Sequence, residues 1–163
     1  MNHKQRYLIA AVLPFATFIV SNIATAAAVS GQGTWEITLQ GRDLDGNLAT
    51  VEAYYDTSLN ITWLANANYA GTPMNWSTAN AWAEALNPYG SGITGWRLPT
   101  TVDVGNNGLT YSNIYQGVDY GYNITTHSEM SHMFYVTLGD QAYSSTSGAY
   151  QPTFGLSNTG PFS

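Results

Sequence analysis

Apolar and polar residues alternate from Thr34 to Gln40, with Trp35, Ile37 and Leu39 on one side and Glu36, Thr38 and Gln40 on the other. A period of two predicts a half-buried strand. The stretch Arg42 to Asn47 contains Asp45-Gly46, a strong turn pair because glycine accepts positive φ, and Val51, Ala53 and Tyr55 then resume the period. The pattern predicts a hairpin whose loop is longer than two residues. After a turn at Asp56 to Ser58, a further strand is expected from Leu59 to Leu64, with Leu59, Ile61 and Trp63 on one face.

The period changes at Trp76. Ala79, Trp82, Ala83 and Leu86 fall at i, i+3, i+4 and i+7, which makes one face of a helix over residues 76–87. Asn75 or Ser77 can cap its start, and Pro88 prevents it continuing. A second helix is expected where Thr126 and Glu129 have capping-box spacing; it carries Met130, Met133, Phe134 and Leu138 and ends at Gly139. Both helices are short and amphipathic, so each is expected to pack on a sheet. Between them, residues 90–122 are rich in Gly, Asn, Thr and Tyr and read as a long loop carrying one short strand at most, and loops of this length are usually functional or disordered. From Tyr143 to Ser163 no clear period is visible, and the chain holds no internal repeat. Strands followed by helices predict an α+β fold. Trp35, Trp63, Trp76 and Trp82 are expected in its core, because each lies on the apolar side of a periodic segment or at a helix start.

The beginning of the chain has a different logic. Lys4 and Arg6 precede an almost wholly apolar stretch from Tyr7 to Ile23, which ends in the small residues Ala24 to Ala28. That order is what a signal peptidase reads. A membrane anchor needs about 20 apolar residues, and here Pro14, Ser21 and Asn22 interrupt or weaken the run. Residues 1–26 are therefore expected to be a signal peptide cut after Ala26, with a cut after Ala28 satisfying the same small-x-small rule. Removing them from 163 residues leaves 137, enough for a single domain at 27–163. The product is expected outside the cytoplasm: periplasmic, at the cell surface or extracellular.

Of the basic residues only Arg42 and Arg97 lie beyond the leader, against ten carboxylates, a formal net charge of −8. So acidic a surface argues against nucleic acid and against anionic membrane as partners, since phosphate binding rests on Lys and Arg. No membrane span is expected after cleavage. The chain has no cysteine, which removes disulfides, thiol catalysis and cysteine-ligated metals.

One set of strings resembles a known family: Tyr55-Asp56-Thr57, Leu59 to Trp63, Met74-Asn75-Trp76 leading into Ala79-Asn80-Ala81-Trp82, Leu86-Asn87, and above all Gly95-Trp96-Arg97-Leu98-Pro99-Thr100. Together these resemble the Lcl C-terminal-like domain, named for a collagen-like adhesin and formerly described only as a domain of unknown function. The stretch Glu129 to Asp140 is similar to a version found in exported proteins with a PEP-CTERM-type sorting tail. The resemblance covers about 51–163 and implies a fold similar to C-type lectin-like domains, with a mixed or antiparallel sheet, two short helices and long loops. It also implies a closing YWS-type strand that would follow Ser163, so the sheet is expected to be incomplete at the C-terminus. Some members are similar to adhesin domains that bind glycans or host surfaces. RLPT is also shared with formylglycine-generating enzymes, whose chemistry needs cysteine.

The site candidates follow. Asp43, Asp45 and Asn47 around Gly46 offer the carboxylate and amide oxygens a calcium ion takes, but Gly46 stands fourth from Asp43, where an EF-hand glycine stands sixth, so a plain hairpin turn competes. No other cofactor is expected. Glu129 and His132 stand at i, i+3 without a second copy to face them, and His127 and His132 are expected to be exposed or capping. No catalytic constellation is visible, and the chain is expected not to be an enzyme. Arg97, within Trp96 to Thr100, is expected to pair with a carboxylate and lock its loop to the sheet; gripping an anionic ligand is the alternative. Tyr111, Tyr115, Tyr120 and Tyr122 with Asn113 have the chemistry of a carbohydrate or protein contact face, or else cover the core. The expected function is an exported binding or surface-structural domain with a glycan or extracellular protein as ligand. The alternatives are a degenerate relative of the formylglycine-generating type and a non-functional piece of a longer gene product.

Overall fold

In a computed structural model, the chain is described at residues 26–101, 121, 125–145 and 147–163. Three short strands, β1 (Leu39–Arg42), β2 (Ala53–Asp56) and β3 (Ile61–Leu64), form an antiparallel sheet in the order β1-β2-β3. Leu39 faces Asp56 and Arg42 faces Ala53, so the hairpin loop spans the ten residues between Arg42 and Ala53 and contains Gly46 at φ +84°. Asp56 faces Ile61 across the second hairpin. That turn is tied off by the Asp56 carboxylate, which accepts from the Ser58 and Leu59 amides at 2.9 and 3.3 Å, while Asn60 sits at φ +56°. Asn60 therefore belongs to the turn, and β3 begins two residues later than the alternation suggests.

The predicted strand at Thr34–Gln40 is only half a strand. Trp35–Thr38 form a helical turn, α1, before β1 begins. The cause lies upstream: Gly33 (φ +70°) is pressed against the backbone of Thr137 to Gly139, Thr34 N donates to Thr137 O, and Thr34 O accepts from the Ile37 and Thr38 amides. Tertiary contact outweighs the local period, and Ile37 is left exposed.

Helix α2 (Trp76–Glu84) is capped as its sequence suggests, with Asn75 Oδ1 accepting from Thr78 N at 2.9 Å. Ala79, Trp82, Ala83 and Leu86 are half-buried or buried, so the predicted face is the one turned inward. Trp76 at its start is 78% exposed, contrary to its expected place in the core. The chain then turns at Pro88–Gly90. The next helix, α3 (Glu129–His132), is capped by Ser128, not Thr126, and widens into a π-helical turn at Met133–Thr137 before Gly139 ends it at φ +67°. The wider turn is marked by Leu138 N donating to Met133 O, five residues back, and Asp140 N then closes the helix end on Phe134 O.

The buried apolar side chains among the described residues are small: Ala53, Ala65, Ala83 and Ala142, with Met133 and Leu138. Trp35, Trp63 and Trp82 are half-buried. Much of the interior is polar and paired. Asn158, fully buried, uses all four of its hydrogen-bonding positions: Oδ1 accepts from Val29 N and Gly160 N, both at 2.9 Å, and Nδ2 donates to Leu138 O at 2.7 Å and Gln32 O at 3.2 Å. Asp140 Oδ1 accepts from Ser157 N, Ser157 Oγ, Asn158 N and Gln32 Nε2. Thr159 N bonds Ala27 O, and Ala27 and Asn158 form a parallel bridge. At the far end Ser163 N donates to Ala65 O and Ser163 O accepts from Ala67 N, while Phe162 packs edge-on against Tyr54. The last residues thus tie the segment before α1 to the turn after α3 and to the end of β3.

Replacing Asn158 with Ala strands the buried Gly160 N–H and Leu138 carbonyl, each costing about 1–3 kcal/mol when unsatisfied, and also frees the partly buried Val29 N–H and Gln32 carbonyl. Asn158→Ala is expected to lower the melting temperature by roughly 10 °C or more, read by near-ultraviolet circular dichroism. A shift within about 2 °C would mean that the network adds little.

Candidate functional site

Three places among the described residues bring chemistry-bearing side chains together, and a fourth forms an open groove. The first is the hairpin loop. Asp43, Asp45 and Glu52 each bring one carboxylate oxygen within 4.8 Å of the others. Asn47, expected in that group, instead turns its Oδ1 onto Ala49 N. The acids are already at work in the turn: Asp43 Oδ1 accepts from Asp45 N and Gly46 N, Asp45 Oδ1 from Asn47 N, and the buried Glu52 from Leu44 N. Their oxygens suit a hard cation, and their hydrogen bonds account equally well for them as turn formers. Glu52 was not legible as a member, since its place depends on the register that returns β2 beneath the loop.

The second is the Trp96 to Thr100 string. Arg97 makes a bidentate pair with Glu129, its two guanidinium nitrogens reaching Oε2 at 2.7 Å and Oε1 at 2.5 Å. Thr100 N adds a third donor to Glu129 at 2.8 Å, and Thr100 O accepts from Met130 N. The string is locked to the start of α3, not to the sheet. Trp96 donates its indole N–H to Ile93 O, and Leu98 and Pro99 are half-buried. The Arg97 hydrogen bonds hold the Glu129 carboxyl below the ordinary carboxylate range, aided by the Thr100 amide and opposed by partial burial. Thr126 makes no capping box with Glu129, because that carboxylate is spent on Arg97.

Ser58 Oγ lies 2.5 Å from Asp56 Oδ1 and 3.1 Å from His132 Nε2, and His132 Nδ1 lies 3.1 Å from Thr125 O. Hydroxyl beside imidazole is the start of a nucleophile–base arrangement. The nearby Ser58 and Leu59 amides, however, both point at the Asp56 carboxylate, so neither is free to stabilise an oxyanion. His132 thus bridges α3 to the β2–β3 turn, while His127 is exposed and contacts Thr126.

The groove lies after α3. Residues 141–145 and 149–155 run as an irregular antiparallel ribbon, bridged at Gln141–Gly155 and Ser144–Tyr150. Ala142 and Ser144 point inward, Gln141 and Tyr143 outward. Tyr143, Tyr150 and Phe154 are 41%, 55% and 46% exposed. Their rings meet edge to face at centroid distances of 5.1, 5.0 and 6.1 Å. Between this ribbon and the π turn runs an open groove of about 420 Å³, lined by Met130, Phe134, Tyr135, Gln141, Tyr143 and Phe154 among others. Sequence reasoning missed it; the signal was the alternation Gln141-Ala142-Tyr143-Ser144 ahead of the turn residues Ser147-Gly148. The expected contact residues Tyr111, Asn113, Tyr115, Tyr120 and Tyr122 lie outside the described residues. No helix among the described residues is long and apolar enough to cross a membrane.

A carboxyl whose folded pKa is depressed contributes stability above its unfolded pKa of about 4.3 and loses it as pH falls through the folded value. Glu129→Gln is therefore expected to destabilise the chain by about 1 kcal/mol at neutral pH, the pair being half open to solvent. The difference from wild type should shrink below about pH 4. Equal differences at pH 7 and pH 3 in denaturant titrations would contradict this.

No family model, no curated protein and no solved structure matches the chain.

Proposed function

We propose that the chain is an exported, non-enzymatic binding or surface-structural domain of the Lcl C-terminal type, adhesin-like, with a glycan or an extracellular protein as its ligand. The observation that carries the reading is the open aromatic groove between the π turn and the Tyr143–Phe154 ribbon. Exposed, well-anchored rings give contact area at low entropic cost, and neighbouring amides and hydroxyls give adaptable hydrogen bonds. An antiparallel sheet with short helices and long connections is compatible with a C-type lectin-like fold, which is the finer form of this proposal.

Three further points support it. The GWRLPT string spends its single cation on Glu129, a structural use. Beside the Ser58–His132 contact, the Ser58 and Leu59 amides are both taken by Asp56. The expected cleavage site stands just before residues that the fold uses, since Ala27 O accepts from Thr159 N and Val29 N donates to Asn158 Oδ1. Cleavage after Ala26 keeps both bonds, whereas cleavage after Ala28 removes the first.

Expression with its own leader in a Gram-negative host, followed by intact-mass measurement of the periplasmic fraction, should give a chain starting at Ala27. The same material is expected to retain at least one ligand on a combined array of glycans and matrix proteins. An uncleaved cytoplasmic product, or a folded mature chain that binds nothing on the array, would overturn the reading.

A further inference from the structure

Resting on that reading, we infer that the groove beside Tyr143 and Phe154 is the ligand site and that its ligand is a neutral saccharide. Charge is the first argument. The groove is lined by Met130, Phe134, Tyr135, Gln141, Tyr143 and Phe154, with Ser131, Ala142 and Gly155, and none of these carries a carboxylate, ammonium, guanidinium or imidazole. In a chain with ten carboxylates and two cations beyond its leader, a lining without cations selects against anionic ligands. An anionic polysaccharide meets no cation there and an acidic protein around it.

The second argument is the combination of ring and donor. The rings of Tyr143, Tyr150 and Phe154 cross at 63–74°. Each ring packs against the other two, and at 41–55% exposure each residue keeps part of its surface open to solvent. Beside them stands Gln141. Its Oε1 accepts from Thr153 Oγ1 at 2.9 Å, and its backbone oxygen accepts from Gly155 N at 2.8 Å. The Gln141 Nε2 makes no hydrogen bond among the described residues, so an amide donor lines the same groove as the rings.

A purely apolar side chain seated there would cover that donor and leave it unpaired, at a cost. A pyranose offers both halves at once: an apolar C–H face for the ring, and hydroxyls around its rim for the amide and for the hydroxyl of Ser131. The volume, about 420 Å³, is that of a wide surface groove that would leave much of a ligand uncovered. Because the groove is open, it suits part of a chain passing across it.

Isothermal titration of the full periplasmic product tests this, with neutral glucan, mannan and chitin oligosaccharides as probes. Polygalacturonate oligomers serve as the charged counterpart and immobilised collagen and fibronectin as protein probes. At least one neutral oligosaccharide should bind, and Phe154→Ala should weaken it by about tenfold or more. Gln141→Ala, which leaves the ring cluster in place, should weaken it severalfold, while Tyr143→Phe keeps most of the affinity. Near-ultraviolet circular dichroism identifies any variant that has not folded, and Gln141→Ala then decides. Neutral-saccharide binding unchanged in folded Phe154→Ala and Gln141→Ala would overturn the groove while leaving the binding reading intact. Binding only of polygalacturonate or matrix protein would overturn the saccharide class. Binding of no probe at all would overturn both.

Discussion

The buried amide of Asn158 is the interaction on which the rest of the structure depends. One side chain reaches Val29, Gln32, Leu138 and Gly160, and its own amide joins three other donors on Asp140 Oδ1. Around it, two glycines make the approach possible: a Cβ on Gly33 would lie 2.3 Å from Thr137 O, and one on Gly139 would lie 2.7 Å from Gly33 N. Gly160 is wedged in the same way between Leu138 and Trp35. Segments more than a hundred residues apart are thereby held within backbone contact. With an apolar core built largely of alanine, the described part of the domain draws on hydrogen-bonded polar burial where larger domains draw on hydrophobic area, although Thr137 Oγ1 and Asp140 Oδ2 are buried without a partner among the described residues.

This constraint also explains what the sequence revealed and what it hid. The β1–β2 hairpin, the Asn75 cap and the inward face of α2 rest on short-range chemistry, and residues within a few positions of one another were enough to find them. Arg97 as a paired cation was legible from its isolation among carboxylates, although its partner on α3 was not. The features missed all depend on distant contacts. Trp35 to Thr38 alternate like a strand and curl into α1 because Thr34 is bonded to Thr137. Thr126 and Glu129 have the spacing of a capping box, but the carboxylate goes to Arg97 and Ser128 takes over the cap. Trp76 fits the pattern of a core residue and stands exposed, because it precedes the first full turn of the face that α2 turns inward.

The same division shapes the surface. Small and polar residues fill the interior, so the large aromatic side chains are left half-covered or exposed, and after α3 they gather into the ribbon of Tyr143, Tyr150 and Phe154. Asp140 connects the two regions: one residue before Gln141, its carboxylate anchors Ser157 and Asn158, which fixes both ends of the ribbon. A rigid base beneath exposed rings is what keeps the entropic cost of ligand contact low.

Native-state hydrogen exchange tests the central claim most directly, because it reads the amides that the Asn158 and Asp140 side chains hold. The account predicts that the Val29, Asn158 and Gly160 amides exchange only through global unfolding, with the same opening free energy as the β2 amides. Rapid exchange at those three positions while β2 stays protected would show that the C-terminal network frays independently, and would contradict its place as the element that holds the fold together.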